Sequence, residues 1–219
     1  MSPQLVNRRP FWRRLLPFSY FYATLGVIAL NLLVFLWNQM DPNSRGLVAL
    51  NATAVWEYGA WWQIFTYMYV HANITHILVN MIGLFFFGLA LEHNLGSWEF
   101  LLFYHVVGWL SGAFSLLLYT ILGSDVWLMG ASGAIFGVML AYATFRPNDR
   151  VLVFFVIPLR AITMVLAFTV VEVVSQIMNP YSGVAHLTHL AGFFFAFFIL
   201  WGRYGVNPWQ VIRHQDRFL

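Results

Sequence analysis

The sequence contains no cysteine and no lysine, and charged residues of either sign make up only 9% of its 219 positions. Without cysteine, disulfide frameworks and thiolate metal sites are excluded, and the redox compartment is left open. An average soluble domain has about 25% charged residues, so the composition of this chain differs from that of a soluble domain. Internal repeats and low-complexity tracts are also absent. The 61% hydrophobic content and the mean hydropathy of +0.72 predict one compact membrane-embedded bundle.

The basic residues are all arginines, and they sit beside apolar runs. A sequence pI of about 9.4 is compatible with nucleic-acid binding. Arginines that flank apolar runs are, however, typical of membrane topology. The pattern therefore predicts the lipid bilayer as a partner and no nucleic acid.

Six apolar segments are predicted to enter or cross the membrane, and several are long enough for ~30 Å of hydrocarbon at ~1.5 Å per residue. The segments are 20–38, 76–91, 100–122, 131–145, 161–178 and 184–202. The first starts late and lacks a convincing small-residue cleavage site, so we interpret it as a retained helix rather than a signal peptide. The fourth is too short to cross fully if it begins near Ser132.

The arginines also predict the orientation. Apart from Arg160 and from Arg45, which lies on the other side, they are found before the first segment, between the fourth and fifth, and after the sixth: Arg8, Arg9, Arg13, Arg14, Arg146, Arg150, Arg203, Arg213 and Arg217. With an even number of spans these regions share one side, which the positive-inside rule makes cytoplasmic. We therefore expect an N-terminal cytoplasmic segment at 1–19, a membrane domain at 20–202 and a cytoplasmic tail at 203–219.

The sequence also predicts the structure of two segments that connect the apolar spans. The long stretch 39–75 is rich in Trp and Tyr, which gather at the level of lipid headgroups, so we expect a structured element partly in the outer leaflet. Val151–Leu159, interrupted by Pro158, is expected to be an interfacial stretch, with Arg160 at the inner edge of the fifth span.

Three apolar segments carry the groups that serine hydrolases use, namely a hydroxyl, imidazoles and a carboxamide. They are Ser132 within Gly130–Gly137, His186 and His189 within 185–192, and His71, His76 and Asn80 within 71–80. A lone serine in a membrane helix is usually a packing residue. The occurrence of a hydroxyl, imidazoles and a carboxamide in three separate segments favours a catalytic role.

The topology places these groups at one depth. Ser132 and His189 each lie 14 residues before an arginine near the inner interface, about 21 Å at the helical rise. By the same helical rise, His76 and Asn80 lie about 24 and 18 Å above the inner interface. A helix starting near Ser132 also offers unpaired N–H groups and a positive dipole end to an oxyanion. The Gly-x-x-x-Gly pair in the fourth segment and Gly192 in the sixth predict close helix approach.

On these residues the chain resembles a rhomboid intramembrane serine protease of the six-helix bacterial type. The resemblance covers roughly Trp62 to Ala196. Its motifs are H-x-x-x-x-H-x-x-x-N at His71, His76 and Asn80, G-x-S-G at Gly130–Gly133, and H-x-x-G at His189–Gly192. It implies an all-α integral membrane protein, a six-transmembrane-helix bundle with a large membrane-associated loop between helices 1 and 2. It also implies a bacterial inner-membrane location with the site opening to the extracytoplasmic side.

The resemblance further implies roles for individual residues. Ser132 would be the nucleophile and His189 its general base, a dyad without a carboxylate. His76, Asn80 and the Ser132 backbone N–H would form the oxyanion hole, supported by Gly130, and the ring of Phe136 would lie against the catalytic imidazole. His71 is assigned a structural or water-holding role. No cofactor and no metal are expected, and substrates would be single-span membrane proteins cut near the outer end of their helix.

Departures from the family pattern concern three positions. Gln63 stands where the family usually has arginine after Trp62, which puts the ion pairing of the long loop in doubt. Ala196 replaces a second glycine and should still allow close helix approach. His186 is an extra imidazole, interpreted as a water-facing or structural neighbour of His189.

Glu172 is the only carboxylate well inside a span, and a charge there is costly in lipid. We favour a contact with a neighbouring helix over a functional role. Two alternative functions stay open: a catalytically inactive rhomboid-like protein that binds membrane clients, and a metal transporter or metalloprotease built on the histidines. Against the metal alternative stand the absence of H-E-x-x-H and the expectation that no carboxylate lies in the histidine layer. The sequence does not predict an oligomeric state.

Overall fold

The computed structural model describes residues 10–153, 156–178 and 185–213, and some predicted features, such as Arg8, Arg9 and Arg217, lie outside them. Within them the helices are α1 (Ala23–Met40), α2 (Ser44–Val48), α3 (Ala52–Tyr58), α4 (Gln63–Thr66), α5 (Ile74–Gly83), α6 (Leu89–Leu95), α7 (Ser97–Leu122), α8 (Ser132–Phe145), α9 (Ala161–Met178), α10 (His186–Ile199) and α11 (Pro208–Arg213). Short 3₁₀ turns occupy Phe11–Arg13 and Tyr67–Tyr69. π-Helical segments at Leu84–Gly88 and Leu200–Tyr204 join α5 to α6 and extend α10.

Five helices in the described ranges are long and apolar enough to cross a membrane: Ala23–Met40, Ile74–Leu95, Ser97–Leu122, Ala161–Met178 and His186–Tyr204. The chain is thus a mostly helical, multi-pass integral membrane protein, as the sequence predicted. The fourth predicted segment forms α8, which has 14 residues. Its length is about 21 Å, short of the ~30 Å hydrocarbon core.

Helix α8 occupies the centre of the bundle and packs against α7, α9 and α10. Most of its residues are buried, because a helix that is apolar on every side must be enclosed by other helices or by lipid. The predicted close approach to the sixth segment is confirmed. A Cβ at Gly192 would collide with the carbonyl oxygen of Gly133, and one at Gly137 would lie 3.2 Å from the Cβ of Ala196. Alanine at 196 therefore still fits this contact.

The first spanning helix begins at Ala23, three residues later than the predicted start. The reason is a cap supplied from a distant part of the chain. One carboxylate oxygen of Glu92 accepts a hydrogen bond from the Ala23 N–H at 2.6 Å, and the other accepts from the Thr24 N–H at 2.9 Å. Such bonds satisfy N–H groups that have no partner within the helix, and a negative charge suits this end of the dipole. Tyr22, just before, has a positive φ of 57°.

A second polar cluster gathers the arginine-bearing regions at one end of the bundle. Arg203 forms an ion pair with Glu99 at the start of α7, with Nε 3.0 Å from Oε2. Its guanidinium also donates to the carbonyl oxygens of Trp12 and Arg14 in the N-terminal segment. Arg146, after α8, donates to the side chain of Asn94 at the end of α6. The arginine pattern predicted this grouping on one side.

The predicted structured element in 39–75 is present as α2, α3, α4 and the following 3₁₀ turn. An isolated bridge between Leu50 and Leu128 ties it to the chain before α8. Gln63 is buried, and its amide donates to the carbonyl oxygen of Gly46 at 3.0 Å and accepts from the Asn51 N–H at 3.1 Å. Neutral hydrogen bonds thus stabilise the loop at the position where an arginine was expected.

The described part of the stretch predicted as interfacial between α8 and α9 contains two paired strands. Strands β1 (Arg150–Val153) and β2 (Ile157–Arg160) pair antiparallel, with Pro158 opposite Leu152. β-Branched residues favour extended structure, and proline is tolerated in a two-stranded ribbon because one edge needs no N–H donor. Arg160 directly precedes α9, as predicted.

The glycine contact between α8 and α10 leads to a stability prediction. Gly192→Ala should lower the melting temperature in detergent because its methyl group meets the Gly133 carbonyl, and overpacking typically costs ~1–3 kcal/mol. Gly26→Ala in α1 is the matched control, since nothing lies within 4 Å of its Cβ position. That variant should match or exceed the wild type, because alanine is favoured in helices by up to ~1 kcal/mol. Equal melting temperatures for both variants would contradict the packing argument.

Candidate active site

Ser132 is the first residue of α8 and follows a turn that only glycine fits well. Gly130 has φ of 118°, and its N–H donates to the carbonyl oxygen of Tyr67 at 3.1 Å. A side chain is strained at this φ. The serine therefore lies at a helix N-terminus, where backbone N–H groups lack intrahelical acceptors and the dipole is positive.

His189, in the first turn of α10, contacts Ser132 directly. Its Nε2 lies 2.8 Å from the serine Oγ, a hydrogen-bond distance between a hydroxyl and an imidazole nitrogen. On the face of the same ring, Phe136 stacks with a centroid distance of 4.4 Å and an interplanar angle of 14°. The backbone approach of Gly133 and Gly192 and the aromatic stack together hold the imidazole against the hydroxyl.

His76 approaches the same point from α5. A Cβ at Gly130 would lie 2.7 Å from its Nε2 and 3.8 Å from the Ser132 Oγ, so both groups border the small residue. The Ala72 N–H donates to His76 Nδ1 at 3.4 Å. A neutral imidazole that accepts at Nδ1 carries its hydrogen on Nε2. His76 thus presents an N–H donor near the serine.

Asn80 and His71 lie near His76, and no direct contact with Ser132 is described for either side chain. Asn80 is buried one turn below His76, and its side-chain amide donates to the His76 carbonyl oxygen at 2.8 Å. Its role in the oxyanion hole stays a prediction. His71, in the loop before α5, is fully buried with its ring centroid 5.0 Å from that of His76. Burial lowers the pKa of His71 to about 4, so its ring is neutral at physiological pH.

Glu172 lies beside the two histidines of α10, so the prediction that no carboxylate lies in the histidine layer is wrong. Its Oε2 lies 2.5 Å from His186 Nδ1, and its Oε1 lies 3.1 Å from His189 Nδ1. The second contact is close, but its angle falls short of a well-directed hydrogen bond. The favoured contact with a neighbouring helix is present, and it reaches the site itself.

These three side chains also form the group in the described ranges that could hold a metal ion. One ligand atom from each of Glu172, His186 and His189 lies within 4.8 Å of the others. The position of Glu172 thus supplies the carboxylate that was expected to be missing from this layer. Two of these ligand atoms, Glu172 Oε2 and His186 Nδ1, lie 2.5 Å apart and contact each other directly.

A hydrogen bond between side chains of α7 and α10 was not predicted from the sequence. Thr188, buried between the two histidines of α10, shares a hydrogen bond of 2.7 Å with Ser115. A Cβ at Gly133 would lie 3.2 Å from both Thr188 and Ser111. The spacing of hydroxyl residues along α7 is the only signal in the sequence, and it does not reveal which helix they face.

Comparison of the sequence with known protein families shows to which family the chain belongs. The family model of the Rhomboid domain matches residues 58–205, which contain all the site residues described above. The chain belongs to the rhomboid family.

Curated relatives include named rhomboid proteases of bacteria. Rhomboid protease GluP of Bacillus subtilis (strain 168) is 32% identical over 135 residues, 61% of this chain and 25% of the relative. Rhomboid protease AarA of Providencia stuartii is 29% identical over 137 residues, 54% and 48% of the two chains. Rhomboid protease GlpG of Enterobacter sp. (strain 638) is 30% identical over 128 residues, 56% and 43%. The chain thus matches less than half the length of each of these relatives.

The buried His71 leads to a prediction about acid stability. Below pH 6.5 the unfolded chain takes up a proton at this residue, whereas in the folded protein the His71 imidazole stays neutral down to about pH 4. Stability should therefore fall as the pH falls through this window, by at most about 1.4 kcal/mol per pH unit, and the effect should be absent above it. Melting temperatures from pH 7.5 to 4.5 should fall less steeply for His71→Gln than for the wild type. Parallel curves would contradict the burial argument.

Proposed function

We propose that this rhomboid protein is an intramembrane serine endopeptidase that uses Ser132 as nucleophile and His189 as general base. The observation that carries the proposal is the 2.8 Å contact between Ser132 Oγ and His189 Nε2 inside an apolar bundle. A nucleophile within hydrogen-bond reach of its base is the signature of covalent acyl transfer. The named proteases among the relatives support the same activity.

In the proposed reaction, His189 Nε2 takes the hydroxyl proton as Ser132 Oγ attacks the scissile carbonyl carbon. The carbonyl oxygen becomes an oxyanion next to the N-terminus of α8, where the backbone N–H groups and His76 Nε2–H are available as donors. The imidazolium then protonates the leaving amine, and an acyl-serine ester remains. Water attacks this ester with His189 again as base, which releases the new carboxyl terminus and restores the hydroxyl.

Substrates are proposed to be single-span membrane proteins. The arginine-bearing end of the bundle would face the cytoplasm by the positive-inside rule. Because Ser132 starts α8 and Arg146 follows its other end, the serine then lies toward the extracytoplasmic side. The substrate helix must unwind locally, since its backbone carbonyls are otherwise hydrogen-bonded and shielded. The scissile bond is expected within or just outside the apolar span, on the extracytoplasmic side.

The Ser–His pair should behave as a unit. In liposomes with a model single-span substrate, Ser132→Ala and His189→Ala should each abolish cleavage, and the double variant should be no worse, because paired catalytic groups are not additive. Ser175→Ala, another serine within a spanning helix, is the matched control and should cleave at the wild-type rate. Mass spectrometry of the products locates the cut, and melting temperatures verify folding.

Several outcomes would reject the proposal. Cleavage by Ser132→Ala, or loss of cleavage with a chelator, would point to other chemistry. Cleavage retained by His189→Ala but lost by His186→Ala would overturn the choice of base. Binding of the substrate without cleavage by the wild type would favour the inactive client-binding alternative.

The geometry also ranks the side-chain oxyanion donors. Removal of one such donor typically lowers turnover by ~10²–10³. His76→Ala should show a loss of this size yet exceed Ser132→Ala, because the helix N–H groups remain. Asn80→Ala should lose less, since its amide already bonds the His76 carbonyl. Turnover numbers from initial rates decide between the two, and a wild-type rate for His76→Ala would exclude His76 from the reaction.

A further inference from the structure

We infer that Glu172 is a positioning residue that orients His189, so that the site works as a chain of three groups, Ser132–His189–Glu172. The inference rests on the proposed function. The two nitrogens of the His189 ring face different partners, with Nε2 at 2.8 Å from the serine hydroxyl and Nδ1 at 3.1 Å from Glu172 Oε1. A base that is itself oriented by a third group is the general logic of nucleophilic hydrolases.

The carboxylate selects the useful tautomer of the ring. His189 can accept the serine proton only if Nε2 is free of hydrogen, which requires the hydrogen on Nδ1. An acceptor next to Nδ1 favours that tautomer. Once Nε2 is protonated, the same carboxylate faces an imidazolium cation, which it stabilises in an apolar environment where such an interaction is strong.

His186 explains how a carboxylate is tolerated at this place. Glu172 is only 8% exposed, and an unpaired charge within a span is costly. The second carboxylate oxygen lies 2.5 Å from His186 Nδ1, so each oxygen faces one imidazole. His186 therefore fixes the carboxylate, and the carboxylate in turn orients His189.

The imperfect angle at the His189 contact does not oppose this role. Catalytic hydrogen bonds in structures without substrate are often long or poorly aligned and tighten in the substrate complex. The distance of 3.1 Å is already within hydrogen-bond range.

A purely structural role would have different consequences. Glu172 joins α9 to α10, so its loss could reduce activity only by loosening the bundle. Loosening would lower the melting temperature and impair substrate binding without changing the pH dependence of the chemical step. The titratable groups that face His189 are Glu172 on α9, His186 on α10 and His76 on α5. Only the first is changed in the test variants.

The test compares Glu172→Gln and Glu172→Asp with the wild type in liposomes. Glu172→Gln keeps the shape but removes the charge, and kcat should fall at least about tenfold, toward the ~10⁴-fold known for neutral replacement of an orienting carboxylate. KM should change less than twofold. The acidic limb of the kcat profile should move to lower pH, because the imidazolium is no longer stabilised. Glu172→Asp should restore the wild-type profile with part of the rate.

Controls separate this inference from the proposed function. Thr169→Val, one turn earlier on α9, removes a hydroxyl that bonds only its own helix in the described contacts, and kinetics should be unchanged. Wild-type cleavage that depends on Ser132, together with an unaltered kcat and pH profile in Glu172→Gln, overturns the inference alone. A lower rate with an unaltered profile in both Glu172 variants means a structural role and also overturns it. Absence of wild-type cleavage rejects the proposed function and this inference with it.

Discussion

The backbone contact between α8 and α10 at Gly133 and Gly192 sets the distance on which the candidate site depends. Ser132 and His189 lie within one turn of these glycines, so any separation of the two helices would separate the hydroxyl from the imidazole. No Cβ fits at Gly192 without meeting the Gly133 carbonyl. Small residues make such an approach possible in membranes, where packing rather than water drives helix association. The surrounding helices then enclose α8, which is too short to cross the bilayer alone.

Polar chemistry in this apolar bundle is stabilised by pairing each buried carboxylate. Glu92 accepts hydrogen bonds from the start of α1, Glu99 pairs with Arg203, and Glu172 contacts two imidazoles. The first two clusters lie at the arginine-bearing end and fasten the N-terminal segment and the end of α10. The third lies next to Ser132. Charges within a membrane protein are expected to face the interior and to be paired, and all three carboxylates follow this rule.

Much of the fold and of the site followed from the sequence. Apolar length and arginine placement located the spanning helices, and motif order placed Ser132, His189 and His76 in one layer. Three features did not follow, because they depend on contacts between distant residues. The start of α1 is set by Glu92, 69 positions from Ala23. The two strands before α9 depend on pairing with each other, and the orientation of Glu172 depends on the rotation of α9, which a helix that is apolar on most sides does not reveal.

The rotation of α9 matters because it creates a coupled cluster rather than a single extra ligand. One carboxylate faces two imidazoles, so the three side chains form one network. Removing His186 leaves a carboxylate oxygen without its partner, and removing Glu172 leaves two rings whose Nδ1 atoms have lost an acceptor. The effects of the two changes are therefore not expected to add, because groups in one such network are coupled. The extra histidine therefore belongs to the same physical unit as the Ser–His pair, and it accounts for how a charge is held inside the membrane beside the proposed nucleophile.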